Sequence, residues 1–155
     1  FRRALEEGLI DPKKSSQIGL RGSLYDHKDY QMSAEAGLMA ITGPQLHQMG
    51  MNHAIKRIKE RVGTGPAYLT FDIDFVDPAY APGTGTPEAG GFTGYEALSL
   101  IRGLTDIDFI GYDMVEVMPP YDPAGITSLL AANIMYEFIS LIALSKKTGT
   151  SSNNI

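Results

Sequence analysis

The chain has 155 residues, of which 43% are hydrophobic and 20% charged, so it is long and apolar enough to form one soluble globular domain with a buried core. Its net charge of −5 argues against a nucleic-acid or anionic-membrane surface, because the 13 Lys and Arg residues are scattered along the chain. Since the chain contains no cysteine, it has no disulfide and no thiolate nucleophile, and any metal site must use oxygen and imidazole donors.

The first residues indicate a chain whose beginning lies further upstream. Residues 3–7 have the pattern of the end of a helix, but neither an initiator methionine nor a capping residue precedes them. No signal peptide opens the chain, and the apolar stretch at residues 134–144 is too short for a membrane span and is interrupted by Glu137 and Ser140. We therefore expect a cytoplasmic protein.

Strands and helices alternate along the rest of the chain. Apolar stretches predict strands at residues 16–21, 38–41, 67–72 and 108–117. Helical spacing and helix-start residues predict helices at residues 32–36, 44–62, 95–103 and 126–145. A polar loop at residues 23–30, a Pro- and Gly-rich segment at residues 77–94 and a mobile tail at residues 148–155 complete the predicted chain. This alternation predicts an α/β fold with a mostly parallel sheet, in which sites lie at the carboxyl ends of strands.

The strand at residues 67–72 ends in two acids, Asp72 and Asp74. If the extended conformation persists, both carboxylates point to one face of the chain and Ile73 to the other. Two converging acids in a mostly buried sheet repel each other and become protonated unless a cation compensates their charge. A divalent ion, or a pair of ions that share carboxylates, meets that need. The alternative is a surface turn with solvated acids, which the apolar run before Asp72 disfavours.

Two further acids have more than one interpretation. Asp77 precedes Pro78, so it is either a third oxygen donor or, as we favour, a turn or supporting residue. Glu116 ends an apolar strand, where an acid is costly unless it binds a cationic group. Substrate binding and a buried salt bridge are equally good interpretations of Glu116.

The Pro- and Gly-rich stretch at residues 82–91 is predicted to be a structured loop against a site or a rigid surface excursion. It lacks the Lys-Ser/Thr pair of a phosphate-binding loop. His27, His47 and His53 are interpreted as surface residues rather than ligands. The chain therefore lacks the imidazole ligands and the proton shuttle of a complete dinuclear hydrolase site.

Taken together, these segments resemble a known family. Residues 71–91, Phe-Asp-Ile-Asp-Phe-Val-Asp-Pro-Ala-Tyr-Ala-Pro-Gly-Thr-Gly-Thr-Pro-Glu-Ala-Gly-Gly, and residues 115–119, Val-Glu-Val-Met-Pro, are similar to the carboxyl-terminal signature of the ureohydrolases, the arginase and agmatinase family. The resemblance extends over residues 1–143. It implies a three-layer arginase-like α/β fold, with a mostly parallel sheet flanked by helices. It also implies manganese-dependent hydrolysis of a guanidino group to urea and an amine, with two Mn²⁺ per active site bridged by hydroxide.

The resemblance also implies roles for individual residues. Asp72 and Asp74 match two metal-ligating aspartates, and Asp72 would bridge the two ions. Glu116 matches the glutamate that pairs with the substrate guanidinium, and Thr86 matches a threonine that lines the pocket near the reacting carbon. Asp77 matches a position that supports the metal ligands. No catalytic residue of the family falls within this chain.

Three family motifs are absent: Gly-Gly-Asp-His, Asp-Ala-His-x-Asp and a His-Gly-Thr-Pro-like loop with a catalytic histidine. In relatives these motifs precede the position at which this sequence starts. The resemblance therefore implies that residues 1–155 are the carboxyl-terminal part of a single ureohydrolase domain, whose amino-terminal part is missing. Such a chain is expected to be inactive alone.

The loop after the first predicted strand bears on the substrate. In arginases, acids in the matching loop hold the α-amino group of arginine, whereas Gly22 and Leu24 stand at their positions here. This difference favours a linear guanidine without an α-amino acid head, of the agmatine or guanidinobutyrate type, and residues 119–123 look agmatinase-like. The resemblance also suggests a homo-oligomer, a trimer or a hexamer. The alternatives are arginase proper, a noncatalytic scaffold of the same fold and a nucleotide-binding module, although the last would need a Gly-x-Gly-x-x-Gly turn.

Overall fold

The structure, a computed structural model, describes residues 1–24, 26 and 28–151, without the side chains of Tyr30 and residues 146–151. The chain divides into two compact units, Phe1–Gly63 and Thr64–Ile155. The assignment of the whole chain to a single domain stays a prediction.

The first unit combines a pair of parallel strands with short helices. Its elements are α1 (Arg2–Glu6), β1 (Ser16–Leu20), α2 (Asp29–Glu35), β2 (Met39–Thr42), α3 (Gly43–Met49) and α4 (Met51–Val62). β1 and β2 pair in parallel, with Ile18 beside Ile41. Helix α2 begins three residues before its predicted start, since Asp29 occupies its first turn, where a negative charge is favourable.

The single helix predicted at residues 44–62 is wrong. The structure has two helices there, α3 and α4, which meet at Gly50. Gly50 has φ 78° and ψ 155°, a conformation that interrupts a right-handed helix and that glycine adopts at little cost. Thr42 caps α3, because its hydroxyl accepts a hydrogen bond from the Gln45 amide while the Gln45 side chain accepts one from the Thr42 amide.

The second unit repeats the strand and helix alternation. Its elements are β3 (Pro66–Asp72), α5 (Gly94–Gly103), β4 (Asp108–Val115) and α6 (Ile126–Ser151), with 3₁₀ turns at Ile73–Phe75 and Pro119–Tyr121. β3 and β4 pair in parallel. Strand β4 is shorter than the predicted residues 108–117, and α6 runs past its predicted end. Part of the tail predicted to be mobile belongs to α6, and residues 152–155 lie outside the described residues.

Aromatic and aliphatic side chains form the core of the second unit. The rings of Phe75 and Phe92 stack with centroids 4.6 Å apart, and Phe71 meets Phe75 edge to face at 5.5 Å. Fully burying such a side chain contributes about 1.5–3 kcal/mol. The other buried apolar residues of its strand end and helices include Ile73, Val76, Ala97, Leu100, Ile101, Ala131, Ile134 and Phe138. This packing fixes the position of the β3 end, from which the acidic residues emerge.

Helix α6 is long and apolar. Its residues Ile126–Ser145 have a mean hydropathy of 1.6 over an 18-residue window, and 28% of that window is buried. Among the described residues it is the one helix whose length and composition would allow it to cross a membrane. Core helices of water-soluble proteins meet the same two criteria, so length and composition do not distinguish the two cases.

Candidate metal centre

The ends of β3 and β4 bring acidic residues together in the second unit. The two strands pair in parallel with Asp72 beside Val115, and Glu116 follows Val115 directly. Since neighbouring parallel strands end at the same edge of a sheet, the acids of both strands are delivered to one edge. Glu116 has φ 61°, an uncommon left-handed conformation for a residue with a side chain, and it ends the strand.

The expectation that Asp72 and Asp74 lie on one continuous extended strand is wrong. Residues Ile73–Phe75 form a 3₁₀ turn, and the Asp72 carboxylate accepts a hydrogen bond of 3.0 Å from the Asp74 amide. The short polar side chain of Asp72 thus caps the turn, as an Asp often does. Ile73 is fully buried in the core. The turn keeps the two carboxyl groups close enough to interact by charge and by hydrogen bonding.

The electrostatic environment of Asp72 disfavours its negative charge. Burial raises the pKa of the Asp72 carboxyl to about 6, although the hydrogen bond from the Asp74 amide lowers it. The negative charge of Asp74, a hydrogen bond with its side chain and the charge of Glu116 also contribute to this raised pKa of Asp72. A bound cation would reverse this balance, because it would compensate the acids that repel one another.

Thr86 lies beside the acidic pair, on the Pro- and Gly-rich loop. Its hydroxyl is 3.4 Å from Asp74 Oδ2, a long and therefore weak hydrogen bond in which the hydroxyl donates. The side chain of Thr86 is exposed. The structure thus places the residue predicted to line the substrate pocket next to one of the predicted metal ligands.

Asp77 holds the two ends of that loop together. Its Oδ1 accepts a hydrogen bond of 2.9 Å from the Ala79 amide, and its Oδ2 accepts bonds of 2.9 and 3.0 Å from the amides of Gly90 and Gly91. Both oxygens are therefore occupied by backbone donors. This geometry matches the turn and supporting interpretation better than the interpretation as a third oxygen donor.

Glu116 is exposed rather than buried, so its interpretation as a buried salt bridge is wrong. The strand ends at Val115, two residues earlier than predicted, so Glu116 lies just outside β4. Its carboxylate lies over the loop at Gly85, where a Cβ atom would be 3.8 Å from Glu116 Oε2. Glu116 therefore faces the same loop that carries Thr86.

The donor set present is suited to a hard divalent cation but incomplete. No group of three or more His, Cys, Asp or Glu side chains placed to hold a metal occurs in the described part of the chain. Asp72 and Asp74 offer carboxylate oxygens, the donors preferred by ions such as Mn²⁺. In the first unit, His47 and His53 are exposed, as expected for surface residues, and His27 lies outside the described residues.

A buried polar cluster of the second unit was not identified from the sequence. Asp122 and Thr127, at the start of α6, are 7% and 0% exposed. Asp122 Oδ1 accepts a hydrogen bond of 3.1 Å from the Thr127 amide, and Asp122 Oδ2 accepts bonds of 2.8 Å from the amide and hydroxyl of Ser128. An Asp shortly before Thr-Ser at a helix start is a capping pattern, and this signal could have revealed the cluster.

Comparisons with known proteins agree on one family. The profile described as "Arginase family" matches residues 1–140. The chain is 46% identical over 143 residues to a guanidinopropionase of Pseudomonas aeruginosa and 46% identical over 142 residues to a guanidinobutyrase of the same organism, covering 92% of this chain in each case. A solved structure of a hypothetical agmatinase from Burkholderia thailandensis matches with a TM-score of 0.85 and 43% identity, over 95% of this chain and 44% of that one. The chain spans 45% and 44% of the length of the two Pseudomonas proteins.

Proposed function

Since the chain belongs to the arginase family, we propose that the protein hydrolyses a linear guanidino compound to urea and an amine. The chain has the α/β fold with parallel strands that the sequence predicts. The names of the similar proteins, guanidinopropionase, guanidinobutyrase and agmatinase, support this class of substrate. Because the chain spans less than half the length of those relatives, we assign the activity to a longer protein. We propose that residues 1–155 form the carboxyl-terminal part of its domain. We expect the chain alone to be inactive.

One observation carries this proposal. Asp72 and Asp74, at the end of β3, and Glu116, at the end of the neighbouring β4, are delivered to one edge of the strand pair. Three acids so close together need positive partners. A metal cation and a guanidinium group are two such partners, and a guanidine hydrolase needs both.

Different residues of this chain would bind the metal and the substrate. Asp72 and Asp74 would hold manganese, which when bound lowers the pKa of a water toward ~7 and so supplies a hydroxide nucleophile. Glu116 binds the planar guanidinium by a charge-assisted contact that can be bidentate, which orients the carbon to be attacked. Thr86 lines the pocket beside Asp74. The proton for the leaving amine would come from a histidine that residues 1–155 do not supply or from a metal-bound acid.

The proposed substrate has no α-amino acid head. Gly22 and Leu24 offer no charge to an α-ammonium group, unlike the acids expected in an arginase. Agmatine and guanidinobutyrate are the types that fit best, and arginine remains the alternative. We also propose that the protein is a cytoplasmic homo-oligomer, a trimer or a hexamer. We propose that it binds neither nucleic acid nor membrane, since the chain carries a net charge of −5.

Urea release by the longer protein tests the proposed function. Purified protein with Mn²⁺ is assayed on guanidinopropionate, guanidinobutyrate, agmatine and arginine, and we expect turnover of at least one of the first three. We expect Asp74→Ala to lose bound manganese and nearly all turnover, because a carboxylate ligand is removed. Manganese is measured by elemental analysis. Unchanged manganese content and rate in this variant would contradict the assignment.

Glu116→Gln separates substrate binding from metal binding. Gln cannot form a charged pair with guanidinium, so we expect kcat/KM to fall by about a hundredfold or more while manganese content is unchanged. The control is Asp108→Asn, which changes an exposed acid at the start of β4 and should alter neither quantity. A noncatalytic scaffold would instead release no urea from any of the four compounds.

A further inference from the structure

The Asp122 cluster at the start of α6 connects to the loop that carries Thr86. Thr127 Oγ1 accepts a hydrogen bond of 2.8 Å from the Gly83 amide, and this contact is buried. The Gly83 carbonyl in turn accepts a bond of 2.8 Å from the Met118 amide. Gly83 is therefore bonded on one side to α6 and on the other to the segment that follows Glu116.

A second contact joins the loop at Gly83 to the segment that follows Glu116. Thr84 and Val117 form an isolated antiparallel bridge, which lies next to the bond between Gly83 and Met118. Val117 directly follows Glu116, and Thr84 precedes Thr86 by two residues. The backbone positions of Thr86 and Glu116 thus depend on one set of hydrogen bonds that begins at Thr127.

The close approach at Gly83 leaves no room for a side chain. A Cβ atom added there would be 2.5 Å from Asp122 Cβ and 3.0 Å from Thr127 Oγ1. These distances are shorter than van der Waals contact, so the loop lies directly against the buried cluster. An alternative position of the loop would leave the Gly83 amide without its buried acceptor.

The Asp122 carboxylate fixes the orientation of Thr127. Burial opposes the ionised form, but the hydrogen bonds from Ser128 and Thr127 outweigh it, so that the pKa of Asp122 lies below its ordinary value. The charge is therefore held by amide and hydroxyl donors of the first turn of α6. Thr127 is held at its backbone by Asp122, which leaves its hydroxyl for Gly83.

We propose that Asp122 and Thr127 are positioning residues for guanidine binding: through Gly83 they hold Thr86 and Glu116 at the distance from each other that the substrate requires. This proposal rests on the proposed function. The side chains of Asp122 and Thr127 bond to Thr127, Ser128 and Gly83, and not to the acids Asp72 and Asp74. Their loss should therefore weaken the use of substrate and spare the binding of metal.

The test compares Thr127→Val with Thr127→Ser in the longer, manganese-loaded protein. Valine keeps the shape of threonine but has no hydroxyl acceptor, whereas serine keeps the hydroxyl. We expect Thr127→Val to lower kcat/KM by about tenfold or more, mainly through KM, at unchanged manganese content, and Thr127→Ser to restore most of the loss. Rates are measured below the unfolding temperature of each variant.

The possible results separate this proposal from its premise. Equal kcat/KM in the two Thr127 variants, or a parallel loss of manganese in Thr127→Val, would overturn the positioning role while the proposed function stands. If the unsubstituted protein releases no urea from any guanidino compound, both fail. Should Thr127→Val not fold, Asp122→Asn replaces it: a raised KM with normal manganese content supports the proposal, and an unchanged KM overturns it.

Discussion

The carboxyl group of Asp72 is partly buried beside two other acids, an arrangement that costs free energy in the absence of a cation. We therefore predict that Asp72→Asn stabilises the metal-free protein at neutral pH by about 1 kcal/mol, a value reduced for solvent screening. The proposed manganese site predicts that Mn²⁺ raises the unfolding temperature of the unsubstituted protein, and the same substitution should abolish that rise. Both effects are measured by thermal unfolding with and without Mn²⁺.

The matched control for this prediction is Asp108→Asn, which neutralises an exposed acid on the strand next to β3. We expect its unfolding temperature to change little and its stabilisation by manganese to remain. A metal-free Asp72→Asn protein that is less stable than the unsubstituted one would show that the carboxylate is favourable where it stands.

At the scale of single residues, the sequence identified the acids but did not predict their backbone conformations. Asp72, Asp74 and Glu116 stand out because acids at the ends of apolar strands are rare and costly. The 3₁₀ turn after Asp72 and the positive φ of Glu116 could not be predicted, since both conformations depend on packing between segments far apart in the chain. The residues around Asp122 show a capping pattern, but that pattern does not reveal that Asp122 and Thr127 are buried or that Thr127 bonds to Gly83, which is distant in the sequence.

At the scale of elements, the division between α3 and α4 has a consequence for stability. Gly50 has φ 78° and ψ 155°, which L residues with a side chain rarely adopt. We predict that Gly50→Ala destabilises the protein by about 1–3 kcal/mol, because alanine would strain the backbone at this φ. The added methyl group itself would meet no neighbouring atom. Denaturant unfolding measures the difference.

Gln48→Ala is the control for that prediction, because Gln48 is exposed within α3 and Ala has the higher helix propensity. It should leave stability unchanged within about 0.5 kcal/mol. A Gly50→Ala protein as stable as this control would mean that the two helices can join into the single one that the sequence pattern suggests.

The helix pattern at residues 44–62 predicts the buried faces but not the break at Gly50. Apolar residues such as Leu46 and Ile58 do lie on buried faces, as the periodicity indicated. A lone glycine inside such a pattern costs only about 1 kcal/mol in a continuous helix, so its presence does not decide between a helix and a break. The helix-start residues Thr42, Gly43 and Pro44, in contrast, gave a local signal that predicts the start of α3 to within one residue.

At the scale of the whole molecule, the alternation of strands and helices was sufficient to predict the α/β class, because parallel pairing follows from the helices between the strands. The number of strands in one sheet could not be predicted. The described residues form two pairs of strands, whereas parallel sheets are normally larger and buried on both faces.

Helix α6 carries an exposed apolar surface formed by Leu129, Tyr136 and Ile139, which are 66%, 68% and 61% exposed. Water-soluble monomers rarely display large apolar patches. We predict that residues 1–155 produced alone bind an apolar fluorescent dye and self-associate, as measured by fluorescence and sedimentation. Replacing the three residues with serine should reduce both signals.

Asn133→Ser serves as the control, since it changes an exposed polar residue of the same helix. Dye binding and association should then persist. If the triple serine variant associates as strongly as the unsubstituted chain, association arises from another surface.

The Pro- and Gly-rich loop is tied down at its ends. Asp77 holds Gly90 and Gly91, Thr127 holds Gly83, and residues 85–90 between these attachments are exposed. Apart from Thr86, whose hydroxyl contacts Asp74, sequence changes between the attachments would therefore leave the two anchors and the pair Asp72 and Asp74 undisturbed. Such a division would let mutation vary the rim of the proposed pocket while the acids proposed to hold metal stay in place, which is a physical route by which one scaffold could yield hydrolases for guanidines of different length.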